Sequence, residues 1–377
     1  MVDTRPIRND PVEVGESEPA RRSSKLDSIQ LLRGAGALLV VGLHINNWLY
    51  AQQARIGISH IAYFANWHQF GAVGVDIFFV ISGFVIALTM TRYQGRTGTF
   101  LRQRVLRIAP LAYLFSAFWI LRLHLLHQPV ALAGIWSTIV LAPILPRYHL
   151  PTLDVLWTLS FEFTLYLLTA AVLLARRGPA TLLAVLSLLG TIGLFHSFGY
   201  PLLRWATHPL LYEFALGVLA YLLWQGGKLP RWTIVASGTI GAGALIGQAL
   251  LGSGVAANPA LAISGETALQ RVVQYAFPSF LLLNFLLTWQ PGRNWAVRLG
   301  AWIGNASYSI YLVHLFVVAM TIRHLHMPPD ARWILLFVLA TIAGLAVYQF
   351  VERPLVKLAG TWGEKRRPDV PGRQATP

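Results

Sequence analysis

The sequence predicts an all-α integral membrane protein of about ten transmembrane helices, with the N-terminus and the C-terminus in the cytoplasm. Three observations carry that reading. Of 377 residues, 55% are hydrophobic and only 12% charged, against roughly 25% charged in soluble domains. The apolar residues gather into runs close to the ~20 residues that a helix needs to cross a hydrocarbon core of about 30 Å. Lys and Arg cluster in alternate segments between those runs, as the positive-inside rule requires of cytoplasmic loops.

Taken along the chain, the runs place spans near 29–50, 71–91, 108–126, 153–175, 180–195, 208–225, 232–251, 272–289, 301–322 and 331–351. Residues 1–25 are polar and mixed in charge, a composition that favours a disordered tail. The apolar run that follows is too long for a removable signal peptide, so the first helix is expected to stay. Segment 131–145 is apolar but short, which predicts an interfacial or re-entrant piece rather than a crossing. With the first residue inside, the basic clusters Arg92–Arg107, Arg176–Arg177, Lys228 and Arg231, Arg293 and Arg298, and Arg353 onward all fall on the cytoplasmic side. An eleventh span at 131–145 would reverse that for every later loop. The transmembrane domain is therefore set at 26–357, with a second disordered cytoplasmic tail at 358–377.

Composition also removes whole classes of chemistry. The chain has no cysteine, which rules out disulfides, thiol catalysis and thiolate metal sites. Its net charge of +15 is spread in short inter-helical clusters, a topology signal rather than a nucleic-acid-binding face. No metal and no permanently bound cofactor is expected, and membrane lipids are the expected surroundings. The many Trp and Phe residues read as core, lipid-facing surface and interfacial belt.

Ionisable residues inside the spans need a reason, because a charge at the bilayer centre costs about 2.5–3.5 kcal/mol on insertion scales. They are Arg33 and His44 on the first span, Asp76 on the second, Glu162 on the fourth, Glu213 on the sixth and His314 on the ninth. Arg33 and His44 are eleven residues apart, close to three turns, so they share one helix face about 16 Å apart in depth. Asp76, near the other end of an antiparallel span, is expected at the depth of His44. Any of the single acids is equally well a buried structural partner. A second feature is the basic run Phe100-Leu-Arg102-Gln-Arg104-Val-Leu-Arg107-Ile-Ala-Pro110. Arg104 and Arg107 would share a helix face, and guanidinium forks suit the phosphates of a nucleotide or coenzyme A as well as lipid headgroups.

Further segments complete a pattern. Ile29-Gln-Leu-Leu-Arg33 with His44, Gly74-Val-Asp76-Ile-Phe-Phe-Val-Ile-Ser82-Gly83, Leu156-Trp157-Thr-Leu-Ser160-Phe-Glu162, Tyr212-Glu213-Phe-Ala-Leu-Gly217, Gly304-Asn305-Ala-Ser307-Tyr308-Ser-Ile-Tyr311-Leu-Val-His314 and Val351-Glu352-Arg353-Pro354 follow in order. With the basic run, this series resembles the acyltransferase 3 family of multi-pass membrane acyltransferases that modify bacterial surface sugars and some secreted small molecules. The resemblance implies a bacterial inner-membrane enzyme that takes an acyl group, most often acetyl, from cytoplasmic acyl-CoA. The acceptor it implies is a hydroxyl of a saccharide such as exopolysaccharide, O-antigen or a lipid-linked precursor. Arg33 and His44 would be the essential pair, and no segment matches the extracytoplasmic hydrolase-like domain of some relatives.

On that reading His44 is the general base, with Asp76 and Glu162 as further catalytic candidates and Asp76 a candidate to orient the imidazole. Arg102, Arg104, Arg107 and Ser82 are the candidates for holding acetyl-CoA, and Glu213, Ser160, Tyr311 and His314 are additional polar site candidates. Direct transfer and an acyl-histidine relay both remain open. The competing class is a proton-coupled transporter or flippase, which discontinuous helices and a repeated half would favour; the sequence shows no sign of either.

Overall fold

A computed structural model describes residues 18–56, 70–141, 149–227, 230–251, 255, 258–289, 294–321 and 327–364, and all regular elements among them are helical. Helix α1 (Glu18–Ile56) begins well before the expected domain boundary and is followed by α2 (Val73–Met90), α3 (Thr97–Leu125) and the nine-residue α4 (Leu132–Val140). Then come α5 (Trp157–Leu174), α6 (Pro179–Phe195), α7 (Pro201–Ala206), α8 (Leu211–Gly226) and α9 (Arg231–Leu251). The last part holds α10 (Pro259–Ser264), α11 (Ala268–Arg271), α12 (Phe277–Thr288), α13 (Trp295–Asn305), α14 (Ser307–Thr321), α15 (Pro329–Val347) and α16 (Arg353–Glu364). The rest of both expected tails lies outside the described residues.

Eight helical stretches among the described residues are long and apolar enough to cross a membrane: 27–51, 73–93, 97–125, 154–174, 201–226, 231–251, 268–288 and 329–358. Each overlaps an expected span. The expected span at 180–195 is the shorter apolar helix α6. Within 131–145, α4 is too short to cross.

One expected span is corrected. The stretch 301–322 is not a straight helix: α13 and α14 meet at Ala306 with a bend of 71°. In α13, Trp295, Leu299 and Trp302 are exposed while the small Ala301 and Gly304 are buried, and Gly304 lies directly against the Gln30 backbone of α1, the close approach that small residues allow. The chain thus contains a discontinuous helix that its sequence does not announce.

Helix pairs α2–α8, α9–α12, α1–α13 and α14–α15 are packed over the longest stretches. Between α2 and α8 the approach is close enough to need glycine on both sides. A Cβ on Gly83 would overlap the Phe214 carbonyl oxygen, and one on Gly217 the Val80 carbonyl oxygen. Small residues at such contacts let backbones approach where no hydrophobic driving force separates helix from lipid. Gly83→Ala is therefore expected to force α2 and α8 apart at a cost of about 1–3 kcal/mol, read as a lowered melting temperature of the detergent-extracted protein.

Candidate active site

Polar side chains from α1, α2, α3, α5 and α14 form a column running beside α1 from Arg33 to His44. At the Arg33 end, its guanidinium donates weakly to the Gln30 side chain, 3.4 Å away, and lies in electrostatic reach of Arg107, Glu162, Glu352 and Tyr166. Glu162 is the hub. Its Oε1 accepts from Tyr166 OH at 2.6 Å and from Ser82 Oγ at 3.2 Å. Tyr166 follows Glu162 by four residues on α5, the spacing at which side chains on one helix face meet. Its ring is capped by the buried Arg104, whose guanidinium carbon is 5.9 Å from the Tyr166 centroid and 5.5 Å from that of Phe100. Arg104 also donates to Thr89 Oγ1 at 2.8 Å.

One turn along α5 from Glu162 toward the His44 end, Thr158 and Tyr311 share a hydrogen bond of 2.9 Å, and the Tyr311 hydroxyl donates to the Val155 carbonyl at 2.8 Å. The Tyr311 ring is 6.0 Å from that of His314, which in turn is 5.0 Å from that of His44. Asp154 is the carboxylate in electrostatic reach of His44. Polar groups thus recur from the first arginine to the last imidazole. Arg33, His44 and Tyr308 each keep part of their surface accessible.

Glu352 belongs to the Arg33 end. It closes the π-helical turn Tyr348–Glu352 after α15 and accepts from Ser309 Oγ at 2.5 Å. Such turns shift the phase of the helix and recur at functional sites. A second π turn, Val272–Ala276, follows Arg271. That arginine, assigned by sequence to a loop, is buried and forms an ion pair of 2.5 Å with Asp76.

Asp76 is thus not the neighbour of His44. Gly74 faces α1, since a Cβ there would overlap the Gly36 carbonyl oxygen. Two residues on, about 200° around the helix, Asp76 points away from α1. It shares the Gly83 face, toward α8, where it meets Glu213. Glu213 is fully buried beside the Asp76 carboxyl. Asp76, Glu213 and Arg271 form a second cluster, separate from the column.

Of the basic run, Arg104 is buried and Arg102 and Arg107 are exposed; Arg107 lies within electrostatic reach of Arg33, and Arg102 sits about 200° around α3 from Arg104. Ser160 is buried on α5, and the hydrogen bond at its position is its carbonyl accepting from Thr164. Tyr166, Thr158, Asp154, Ser309 and Arg271 were not among the sequence candidates; only Tyr166 carried a local signal, its spacing from Glu162.

Helices that cross a membrane repeatedly and keep an arginine, two histidines and acids along an inner column define a multi-pass membrane protein with an intramembrane polar site. Residues 26–351 match the acyltransferase 3 family, described as an acyltransferase domain, and the chain belongs to that family. It is 27% identical over 312 residues to the exopolysaccharide production protein ExoZ of Rhizobium meliloti, covering 77% of this chain and 92% of that protein. It is 26% identical over 395 residues to the acyltransferase MdmB of Streptomyces mycarofaciens, covering 92% and 95%. With the peptidoglycan O-acetyltransferase OatA of Listeria monocytogenes it shares 25% identity over 344 residues, but spans only 54% of that longer protein. No solved structure matches the chain.

Proposed function

We propose that this protein transfers an acyl group, acetyl in the first instance, from cytoplasmic acyl-CoA to a hydroxyl of a saccharide at the opposite side of a bacterial inner membrane. Both termini lie in the cytoplasm on this reading, and the Arg33 end of the column opens there. The observation that carries it is the series of polar groups between Arg33 and His44 in a chain of an acyltransferase family. Relatives named for exopolysaccharide production and for peptidoglycan O-acetylation support the acceptor class.

The chemistry follows from the geometry. Arg33 and Arg107 hold the CoA phosphates as charge-assisted donors, and Arg104 steadies the Tyr166–Glu162–Ser82 network beside them. The pantetheine arm lies along the column and brings the thioester to His44. There the imidazole takes the proton of the acceptor hydroxyl as its oxygen attacks the carbonyl; the C–S bond breaks and the proton passes to the departing thiolate. Asp154 is the carboxylate within electrostatic reach of that ring. Asp76 and Glu213, outside the column, hold helices together.

The test uses inside-out membrane vesicles of the native host, which present the cytoplasmic face and contain the natural acceptor, supplied with acetyl-radiolabelled acetyl-CoA. Alkali-labile label is expected in saccharide material. Arg107→Ala is expected to raise KM for acetyl-CoA about tenfold, the loss of one hydrogen bond to a charged group, with little change in maximal rate. Label that never reaches saccharide, or a KM unaffected by Arg107→Ala together with Arg33→Ala, would refute the reading.

A further inference from the structure

The column contains two imidazoles, and the mechanism above uses only one. His314 is fully buried on α14. Its Nδ1 lies 3.2 Å from the Ile310 carbonyl oxygen, and a carbonyl can only accept, so Nδ1 carries the ring hydrogen. In a neutral imidazole that leaves Nε2 as a bare acceptor. This atom is buried and has no partner. A backbone contact within its own helix thus fixes the tautomer of His314 and holds a strong acceptor idle in the protein interior, where an unmet acceptor is unfavourable.

Two rings adjoin it. Tyr311 has already committed its hydroxyl to Thr158 and Val155. His44 has ring nitrogens engaged in no hydrogen bond with any described residue, and its ring centre lies 5.0 Å from that of His314 with the planes 46° apart. A nitrogen-to-nitrogen bond of about 2.9 Å between two imidazoles puts their centres about 5 Å apart, the separation found here.

We propose that His314 is the positioning residue of the site: its Nε2 accepts the N–H of His44, selecting the tautomer whose opposite nitrogen is bare and turned toward the acceptor hydroxyl. The inference rests on the acyl-transfer reading given above. When His44 takes the acceptor's proton, the N–H···N bond to His314 becomes charge-assisted and stronger. It therefore stabilises the transition state more than the ground state, and its loss appears in the maximal rate rather than in donor binding. No proton needs to leave the pair: the one taken from the acceptor goes on to the thiolate, and His314 keeps its own on Nδ1.

The vesicle assay separates the possibilities. His314→Leu removes the acceptor and is expected to lower the maximal rate of label incorporation roughly 100-fold with KM for acetyl-CoA within about twofold of the original. His314→Gln places an amide oxygen near the position of Nε2 and is expected to recover most of that loss; a side chain that merely filled space would give no such rescue. If His314→Leu keeps the full rate, or if folded His314→Gln is as impaired as His314→Leu, the inference is overturned. As a check on the unmutated protein, a through-bond nitrogen–nitrogen coupling between the two rings in a histidine-labelled sample is expected, and its absence counts against the pair. Should the unmutated protein place no label in saccharide, the acyl-transfer reading itself fails; should it place label there while His44→Ala is inactive and His314→Leu normal, only the positioning role does.

Discussion

His44→Ala is expected to abolish acyl transfer to saccharide while the protein continues to fold and insert. The rate should drop by at least the roughly 10²–10⁴-fold that general base catalysis contributes. The reason is positional. His44 is the imidazole of the column that retains accessible surface, so it is the one an incoming hydroxyl can meet, whereas His314 is sealed in. The one hydrogen bond proposed for its side chain is that to His314, so the protein should still fold and insert. The measurement is alkali-labile label in vesicle saccharide, alongside the melting temperature of the extracted protein. Substantial transfer by a folded His44→Ala protein would place the chemistry elsewhere.

The second large effect concerns stability rather than rate. Arg271→Leu is expected to destabilise the protein by about 3–5 kcal/mol, the cost of stranding a buried partner. Asp76 and Glu213 are both fully buried beside that guanidinium, and its loss leaves two acids facing each other across the α2–α8 contact. Replacing Asp76 by Leu as well should restore much of the loss, because an apolar pair of similar volume often substitutes for a buried ion pair. Thermal unfolding followed by size-exclusion chromatography in detergent reads both variants. Arg271→Leu with an unchanged melting profile would show that the ion pair holds nothing together.

Periodicity made some of this legible in advance and left the rest hidden. The eleven-residue interval placed Arg33 and His44 on one face, and the structure sets both along the same column. The same arithmetic applied to Asp76 gave its depth but not its direction, since direction depends on which face of α2 meets α1. Gly74 and Gly83 together hold that information, but only once their partner helices are known. Arg271 falls just outside the expected span 272–289, and the π turn that follows it has no sequence signature. Glu352 was visible as part of Val351-Glu352-Arg353-Pro354, yet nothing local says that Ser309 and Arg33 lie beside it. The bend at Ala306 was missed because apolar content alone cannot tell a crossing helix from one that turns aside.

One consequence follows from Arg33 and His44 standing on a single uninterrupted helix. On the proposed reading, the gap between the phosphate anchor and the point of transfer is set by the pitch of α1, and not by how neighbouring helices happen to lean. A thinner or thicker bilayer can tilt the whole assembly without opening or closing that gap. On the proposed reading, the enzyme thereby gauges its donor: a cosubstrate whose arm is too short to bridge the two ends can be gripped at one of them, but not at both.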